Sequence, residues 1–449
     1  MKKRLLTTLM ASVLTLSLIG CGSKTNETTK TDGSNADKEV NLNVWIMPNS
    51  GTPDQDFMEV IQPFLDKNPN IKVTPTVLDW GSAWTKITAA ATSGEAPDIT
   101  QLGTSWVAAV GAMNALEDLT PYYNDFGGDD AFVKATLDTT KIEGQKEKYA
   151  MPWFIDTRAI FYRKDACQKA GVDPTKDFAT WDSYKAALKK LNGVEVDGKK
   201  MSALGMPGKN DWNVVHNFAW WVWGAGGQYI QDGKAVINSK EAYEGVKFYT
   251  ELASDGLMPK AALEKNSAEV EALFNQGEYA TIFSGAYLAK TIKTEFEKDS
   301  TKALDPSKVG IAMVPEGPKG RFALFGGSTL AMYKSSKNKP EAAKLLAYLA
   351  TADSQVAYAK KHGNLPANAK SFDDKFITDD PLLSVFKQQL QYGKAYPSVP
   401  GWAPSEGLFQ KGLSNVWDNV MGVNGAYDPA KTQTELDATV NDVNAVLKQ

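Results

Sequence analysis

Between Asp211 and Gln228 the chain reads DWNVVHNFAWWVWGAGGQ, which places four of its twelve tryptophans, Trp212, Trp220, Trp221 and Trp223, within a few helical turns. An indole offers a broad, rigid apolar face and one N–H donor, which suits a flat, partly polar ligand such as a sugar ring. The same rings can also fill a core: on a helix Trp220 and Trp223 share a face one turn apart, while Trp221 points elsewhere. The local pattern leaves both uses open. It makes Trp220 and Trp221 candidate stacking groups, with His216 and Asn217 as polar partners in the same run. Trp45, Asn49, Trp80, Trp84, Trp106, Trp153 and Trp402 sit mostly where strand-like runs give way to loops or helices. Strand-end loops are where binding groups concentrate. With His216 and His362 the only histidines, no histidine metal site is expected, and no cofactor. The acids Asp125, Asp129 and Asp130 lack the spaced ligand loop of a calcium hand and read as a solvated loop.

The elements that must position these residues are legible at the start of the chain. Leu42, Val44 and Ile46 alternate with polar neighbours over Val40 to Met47 as a strand would, ending at Pro48-Asn49-Ser50-Gly51. Phe57, Ile61, Phe64 and Leu65 form a helical stripe in which Pro63 should introduce a kink. Ile71, Val73 and Val77 suggest a second strand, Ser82 is a plausible cap for a following helix, and Pro97-Asp98-Ile99 opens a third strand. Strand, helix, strand, helix, strand describes an α/β lobe. A second α/β run follows, then Gly326-Gly327, an amphipathic helix from Lys339 to Ala350 and a largely helical end. A glycine pair can mark a hinge or a close-packed turn.

At 449 residues the chain is long enough for two domains, and its net charge of −4 offers no basic face for nucleic acid. Lys2, Lys3 and Arg4, the apolar run Leu5 to Ile19, and Leu18-Ile19-Gly20-Cys21 resemble a bacterial lipoprotein leader. On that reading residues 1–20 are removed, Cys21 carries the lipid anchor, and the Gly, Ser, Thr and Lys-rich stretch 21–39 is a flexible tether. The expected location is extracytoplasmic, at the cell membrane. Cys167 is then the only other cysteine and is expected to be a buried thiol.

Six segments in order, APDITQLGTSWVAAVGAMNALEDLTPYY (96–123), YAMPWFIDTRAIFYRKD (149–165), TWDSYKAALKKL (180–191), LFNQGEYATIFSGAYL (273–288), GGSTLAMYKSSKNKPEAAKLLAYLAT (326–351) and GNLPANAKSF (363–372), resemble family 1 extracellular solute-binding proteins, the maltose- and oligosaccharide-binding lipoproteins of ATP-binding-cassette importers. The resemblance implies an α/β, two-lobed periplasmic-binding-protein-like fold with interleaved lobes and a hinge. It places 40–155 and 327–367 in the N-terminal lobe and 156–326 and 368–449 in the C-terminal lobe. By the same comparison Asp156 falls where family members carry a sugar-binding carboxylate, with a salt bridge to Arg158 or Arg163 as its alternative role. Ser105 and Trp106 replace an acidic and a basic residue of the maltose binders, which argues against maltodextrin. Tyr287 takes the place of a stacking tryptophan, and Trp402 and Glu406 lie where family members close the cleft. Gly326 and Gly327 complete the candidate site.

The resemblance implies a non-enzymatic, monomeric receptor that takes a neutral oligosaccharide in an aromatic-lined cleft and hands it to the permease subunits of an ABC importer. Two other readings compete. A glycoside hydrolase would need two carboxyl groups at a defined separation, and no signature here fixes such a pair. A receptor for a phosphorylated polyol would want arginines, and beyond the leader only Arg158, Arg163 and Arg321 are available.

Overall fold

The alternation at the start of the folded chain does build a strand, with Leu42, Val44 and Ile46 fully buried. The computed structural model describes residues 39–423 and 425–447; the leader, Cys21 and all but the last residue of the 21–39 tether lie outside the described residues. The strands that position the site are, in chain order, β1 (Val40–Ile46), β2 (Ile71–Val77), β3 (Ile99–Gly103), β4 (Met151–Thr157), β5 (Ala159–Arg163), β6 (Ser202–Gly205), β7 (Tyr279–Ser284), β8 (Val309–Ala312), β9 (Ala323–Met332), β10 (Leu365–Pro366) and β11 (Gly393–Lys394). They form two sheets. The larger runs β10-β4-β9-β3-β1-β2, with β11 paired to the start of β9; the smaller runs β8-β5-β7-β6. β1 is parallel to both β2 and β3, whereas β9 is antiparallel to β3 and β4.

The larger sheet therefore takes strands from the chain's start, from 323–332, from 365–366 and from 393–394, and the smaller sheet takes its strands from 159–312. A single residue, Arg158, separates β4 in one sheet from β5 in the other. The return crossing lies between β8 and β9, and Thr157 Oγ1 donates to the Leu324 carbonyl at 2.6 Å, tying the two crossings together. Gly326 and Gly327 lie inside β9, opposite Asp156 and Ile155 of β4. Gly327 has φ +133°, and a Cβ there would sit 2.2 Å from the Phe154 carbonyl oxygen, so Gly327 serves a close strand approach within β9.

The helices that matter are α1 (Pro53–Lys67), α2 (Trp80–Ser93), α3 (Val107–Ala112), α4 (Val214–Gly224), α5 (Lys240–Ser254), α6 (Ser267–Asn275), α7 (Tyr287–Lys298), α8 (Lys339–Leu349), α9 (Ala352–His362), α10 (Trp402–Met421) and α11 (Pro429–Leu447). α1 continues through Pro63 as one helix. Ser82 does not cap α2: the helix begins two residues earlier, and Asp79 Oδ1 accepts the Gly81 N–H at 2.9 Å.

The tryptophan-rich run forms α4, in which every residue except His216 is buried. A helix apolar on all sides belongs inside a core, and this one is packed against α5 and α10. Trp221 stacks on Tyr249 at 5.4 Å and Trp220 on Phe283 at 5.1 Å, while Trp402 stacks on Tyr396 at 4.0 Å. Trp220, Trp221 and Trp402 are at most 1% exposed. All three are core residues, because α4 and the start of α10 bury these faces against each other and against β7. Gly245 makes the helix contact possible, since a Cβ there would lie 2.3 Å from the Trp221 carbonyl oxygen.

Removing the Trp221 side chain should leave a large cavity in this core. Trp221→Ala is expected to destabilise the fold by about 3–5 kcal/mol, read as a lowered urea midpoint, whereas Trp212→Ala, at a position 52% exposed, should cause no comparable loss.

Candidate ligand-binding site

A cavity of 890 Å³ lies between the two lobes, and its wall is drawn from both. From the side of the larger sheet come the loop after β1 (Pro48 to Gly51), Trp80 at the start of α2, Gly103 to Trp106 after β3, Gly326 to Ser328 of β9, and His362 with Asn364. The opposite wall comes from Asp211 to Asn213 and His216, from Glu271 on α6, from Tyr287 and Lys290 on α7, and from Tyr396 and Glu406. Phe154, Asp156 and Arg158 lie at the crossing between the sheets.

Of the residues singled out in the sequence, Asn49, Trp80, Ser105, Trp106, Asp156, His216, Tyr287, Gly326, Gly327 and Glu406 line this cavity. Trp45, Trp84, Asn217, Trp220, Trp221 and Trp402 do not. Trp84 stands behind the wall, packed on Trp106 at 5.6 Å, and Trp45 joins the same apolar cluster. Asn217 is buried on α4, one residue beyond the only position of that helix that reaches the cavity.

The crossing carries the strongest charges. Arg158 Nη1 donates to Asp156 Oδ1 at 2.5 Å, with the arginine side chain 7% exposed. Burial works against the guanidinium's charge, but Asp156, Tyr287 and Glu271 outweigh it and hold its pKa above the ordinary value. Asp156 pairs with Arg158, the alternative the sequence offered, and it also lines the cavity. Gly285 leaves room for this arrangement, since a Cβ there would lie 2.8 Å from Asp156 Oδ1 and 2.5 Å from Tyr287 Cε1. Behind it Glu271 Oε1 accepts the Ser284 hydroxyl at 2.6 Å and the Tyr287 hydroxyl at 2.7 Å. Burial raises the Glu271 pKa, and those two hydroxyls and Arg158 pull the other way.

A second cluster joins the lobes directly. Trp106 Nε1–H donates to Glu406 Oε2 at 3.3 Å, and His216 Nε2 lies 3.8 Å from Glu406 Oε1. Burial pushes the Glu406 carboxyl up to about 7, with the Trp106 N–H opposing the rise. Burial, aided by Arg158, pushes His216 down to about 3, so its imidazole is neutral at pH 7. Its Nδ1 is 2.9 Å from the Tyr396 hydroxyl. Trp80 faces Trp212 across the cleft, nearly parallel.

At the α9 end, Asn49 is held by Gln101 and Tyr358, its Nδ2 donating 2.9 Å bonds to both. His362 Nδ1 accepts the Asn364 N–H at 3.0 Å, which leaves the proton of the neutral ring on Nε2. His362 Nε2, Asn213 Oδ1 and Asn364 Oδ1 are buried with no hydrogen-bond partner among the described residues. Three unpartnered polar atoms, on residues from both walls of the cavity, suit a ligand that brings its own hydrogen-bonding groups. The cavity offers aromatic planes, neutral donors and acceptors, and carboxylates, with its one guanidinium already neutralised.

Sequence reasoning missed Arg158 as a wall residue, Glu271, Asn213, Tyr396, His362 and Asn364, and it named Trp212 in the aromatic run without assigning it to the site. Arg158 was accessible to it, two residues from Asp156 and therefore on the same side of an extended segment. Glu271 reaches the site from the middle of a helix, and no local pattern announces that.

The family model described as bacterial extracellular solute-binding protein matches residues 59–385. A diacetylchitobiose binding protein of Streptomyces coelicolor is 26% identical over 421 residues, covering 90% of this chain and 91% of that one. A maltooligosaccharide ABC transporter solute-binding lipoprotein of Streptococcus pneumoniae is 22% identical over 449 residues, covering 98% and 95%. A solute-binding protein of Thermotoga lettingae, solved with α-D-tagatose bound, superposes with a TM-score of 0.76 at 22% identity over 91% of this chain and 99% of that one, and shows the shared two-lobed fold.

The opposed shifts of Glu406 and His216 set an expected pH dependence. Native Glu406 holds its proton to a higher pH than the unfolded chain does, so it costs stability as pH rises from about 4.5 through 7. Native His216 stays neutral, so it costs stability as pH falls below about 6.5. Thermal melts should therefore show Glu406→Gln gaining on the wild type between pH 5 and 7.5 and levelling off above; a constant difference would place Glu406 in water.

Proposed function

The chain belongs to the bacterial extracellular solute-binding proteins, and from that premise we propose that it is a non-catalytic receptor that captures a neutral oligosaccharide between its lobes and presents it to the permease of an ABC importer. The observation that carries this reading is the composition of the cavity wall. Trp80, Trp106 and Trp212 supply faces for the C–H patches of sugar rings, while Asp156, Glu406, His216 and the unpartnered Asn213, His362 and Asn364 supply partners for hydroxyls. A volume of 890 Å³ suits more than one sugar unit. The sugars named for the Streptomyces and Streptococcus relatives support the same ligand class.

The competing reading, a phosphorylated polyol, loses support in the wall itself. Arg158 is paired with Asp156 and Arg163 with Asp165, and Arg321 donates to the Ala179 carbonyl away from the cavity. A phosphate would find no unpaired guanidinium among the described wall residues. In the proposed setting the protein works as a monomer, held at the outer face of the cell membrane by lipid on Cys21. No helix among the described residues is long and apolar enough to cross a membrane. Closure is a population shift driven by contacts that the ligand makes with both lobes at once.

Intrinsic fluorescence with a parallel thermal shift, titrated with chitooligosaccharides, maltooligosaccharides, arabinooligosaccharides and glycerol phosphate, tests the reading. A saturable response and a raised melting temperature with one saccharide are expected, and Trp106→Ala should weaken that binding about tenfold or more. Release of reducing ends during incubation, or a response to glycerol phosphate alone, would contradict it.

A further inference from the structure

Between β11 and α10 the chain runs through Ala395-Tyr396-Pro397-Ser398-Val399-Pro400-Gly401, a segment with no regular secondary structure. Pro397 and Pro400 each fix a φ angle, which makes the segment a stiff strap. Both ends of the strap belong to one side of the cleft. Tyr396 stacks on Trp402 of α10 and meets Trp223 of α4 at 5.4 Å, and the Trp402 N–H donates to the Val399 carbonyl at 3.1 Å. Its middle is tied to the other side. Ser398 Oγ donates to the Lys141 carbonyl at 2.7 Å, and the Ser398 carbonyl accepts the Glu143 N–H at 2.8 Å. Lys141 and Glu143 lie in the hairpin, bridged by Lys141 and Lys148, that leads into β4 of the larger sheet. Tyr396, Pro397 and Ser398 line the cavity from the strap, and Thr139, 4% exposed, lines it from the facing stretch. At this point the cavity wall runs unbroken from one lobe to the other.

α7 builds its part of the wall differently. Tyr287, Lys290, Thr291, Thr294, Glu295 and Lys298 recur at three- and four-residue intervals, so one face of the helix lines the cavity. From Tyr287 at the crossing to Lys298 that face extends about 16 Å. Thr291, Glu295 and Lys298 are exposed, as are Asn266 and Ala268, which also line the cavity. No hydrogen bond or ion pair among the described residues ties Thr294, Glu295 or Lys298 to the larger-sheet side.

We propose that the strap makes the cleft blind at one end while α7 leaves it open at the other, so that the protein captures its saccharide by one terminus and a longer chain projects outward along α7. The assignment rests on the saccharide reading above and adds the mode of capture. Aromatic faces accept any ring of a chain, terminal or internal. A wall closed by two hydrogen bonds accepts only a ring with nothing beyond it, because threading a chain past Ser398 would break both bonds and lift the strap from the hairpin. The choice between a chain's end and its interior therefore lies with the strap.

Isothermal titration with maltooligosaccharide, chitooligosaccharide and arabinooligosaccharide series tests this when each is supplied in three forms: unmodified, blocked at the reducing end by reductive amination with aminobenzamide, and blocked at the non-reducing end by a bulky acyl or acetal group. In the series that binds, one block should leave affinity within about threefold and the other should weaken it about tenfold or more. Equal tolerance of both blocks, or equal loss with both, would overturn the blind end and leave the saccharide reading standing. No binding of any unmodified series would overturn both. A fluorophore on the tolerated terminus locates the opening. It should transfer energy more efficiently to a label on Glu297→Cys, beside the outer end of α7, than to one on Lys146→Cys, in the hairpin that Ser398 holds; the reverse order would overturn the proposal. Both positions are exposed and outside the cavity wall, Cys167 is buried, and Cys21 is replaced by serine for the labelling.

Discussion

The buried ion pair between Arg158 and Asp156 is the constraint on which the rest of the structure depends. Arg158 is the whole connection between a strand of the larger sheet and a strand of the smaller one, and a guanidinium with so little access to water must be matched in place. Asp156 supplies the match at the end of β4, opposite Gly326, and in doing so is turned toward the cavity. Tyr287 and Glu271 reach the same point from α7 and α6, and Gly285 contributes by having no side chain to obstruct them. Both lobes are thus registered on one charge cluster, and the ligand cavity is the space they leave around it.

That cluster also sets the electrostatic character of the cavity. Its guanidinium is paired with Asp156, the cavity's two histidines are held neutral, and two of the cavity's carboxyls are pushed toward the protonated form. Alongside Lys290, Lys298 and Lys361, the cavity offers a ligand hydrogen-bonding groups and aromatic surface, which suit a polyhydroxylated molecule. Cys167 stands outside this chemistry: it is buried, and desolvation pushes its thiol up to about 12.

The α/β character was legible wherever alternation was regular, as in β1 and β2, and the buried Leu42, Val44 and Ile46 are those the period picks out. The interleaved order of the strands was not, because β9 pairs with β3 across more than two hundred residues and no local pattern records that. The division of the tryptophans shows the limit most clearly. Trp212 and Trp220 stand eight residues apart in one aromatic run, yet one faces the cleft and the other is sealed in the core. A helix apolar on every side shows no preferred face to a periodicity argument, so only packing against α5 and α10 decides which rings are interior. His216 was the available clue, as the lone polar interruption in α4 that the core does not absorb. Asp156 was legible through resemblance, and Trp80 and Asn49 through their places after strands; Glu271 and Asn364 are brought in by tertiary structure alone.

The central claim is that the two lobes close on a saccharide held between them. Small-angle X-ray scattering of residues 22–449, recorded without ligand and with the saccharide that gives the fluorescence response, tests it most directly. The account predicts that saturating ligand leaves a single compact population whose scattering matches the two-lobed form with the Trp106–Glu406 side of the cleft brought together. Tight binding with no difference between the two curves, and with the ligand-free protein fitting an open form throughout, would contradict it.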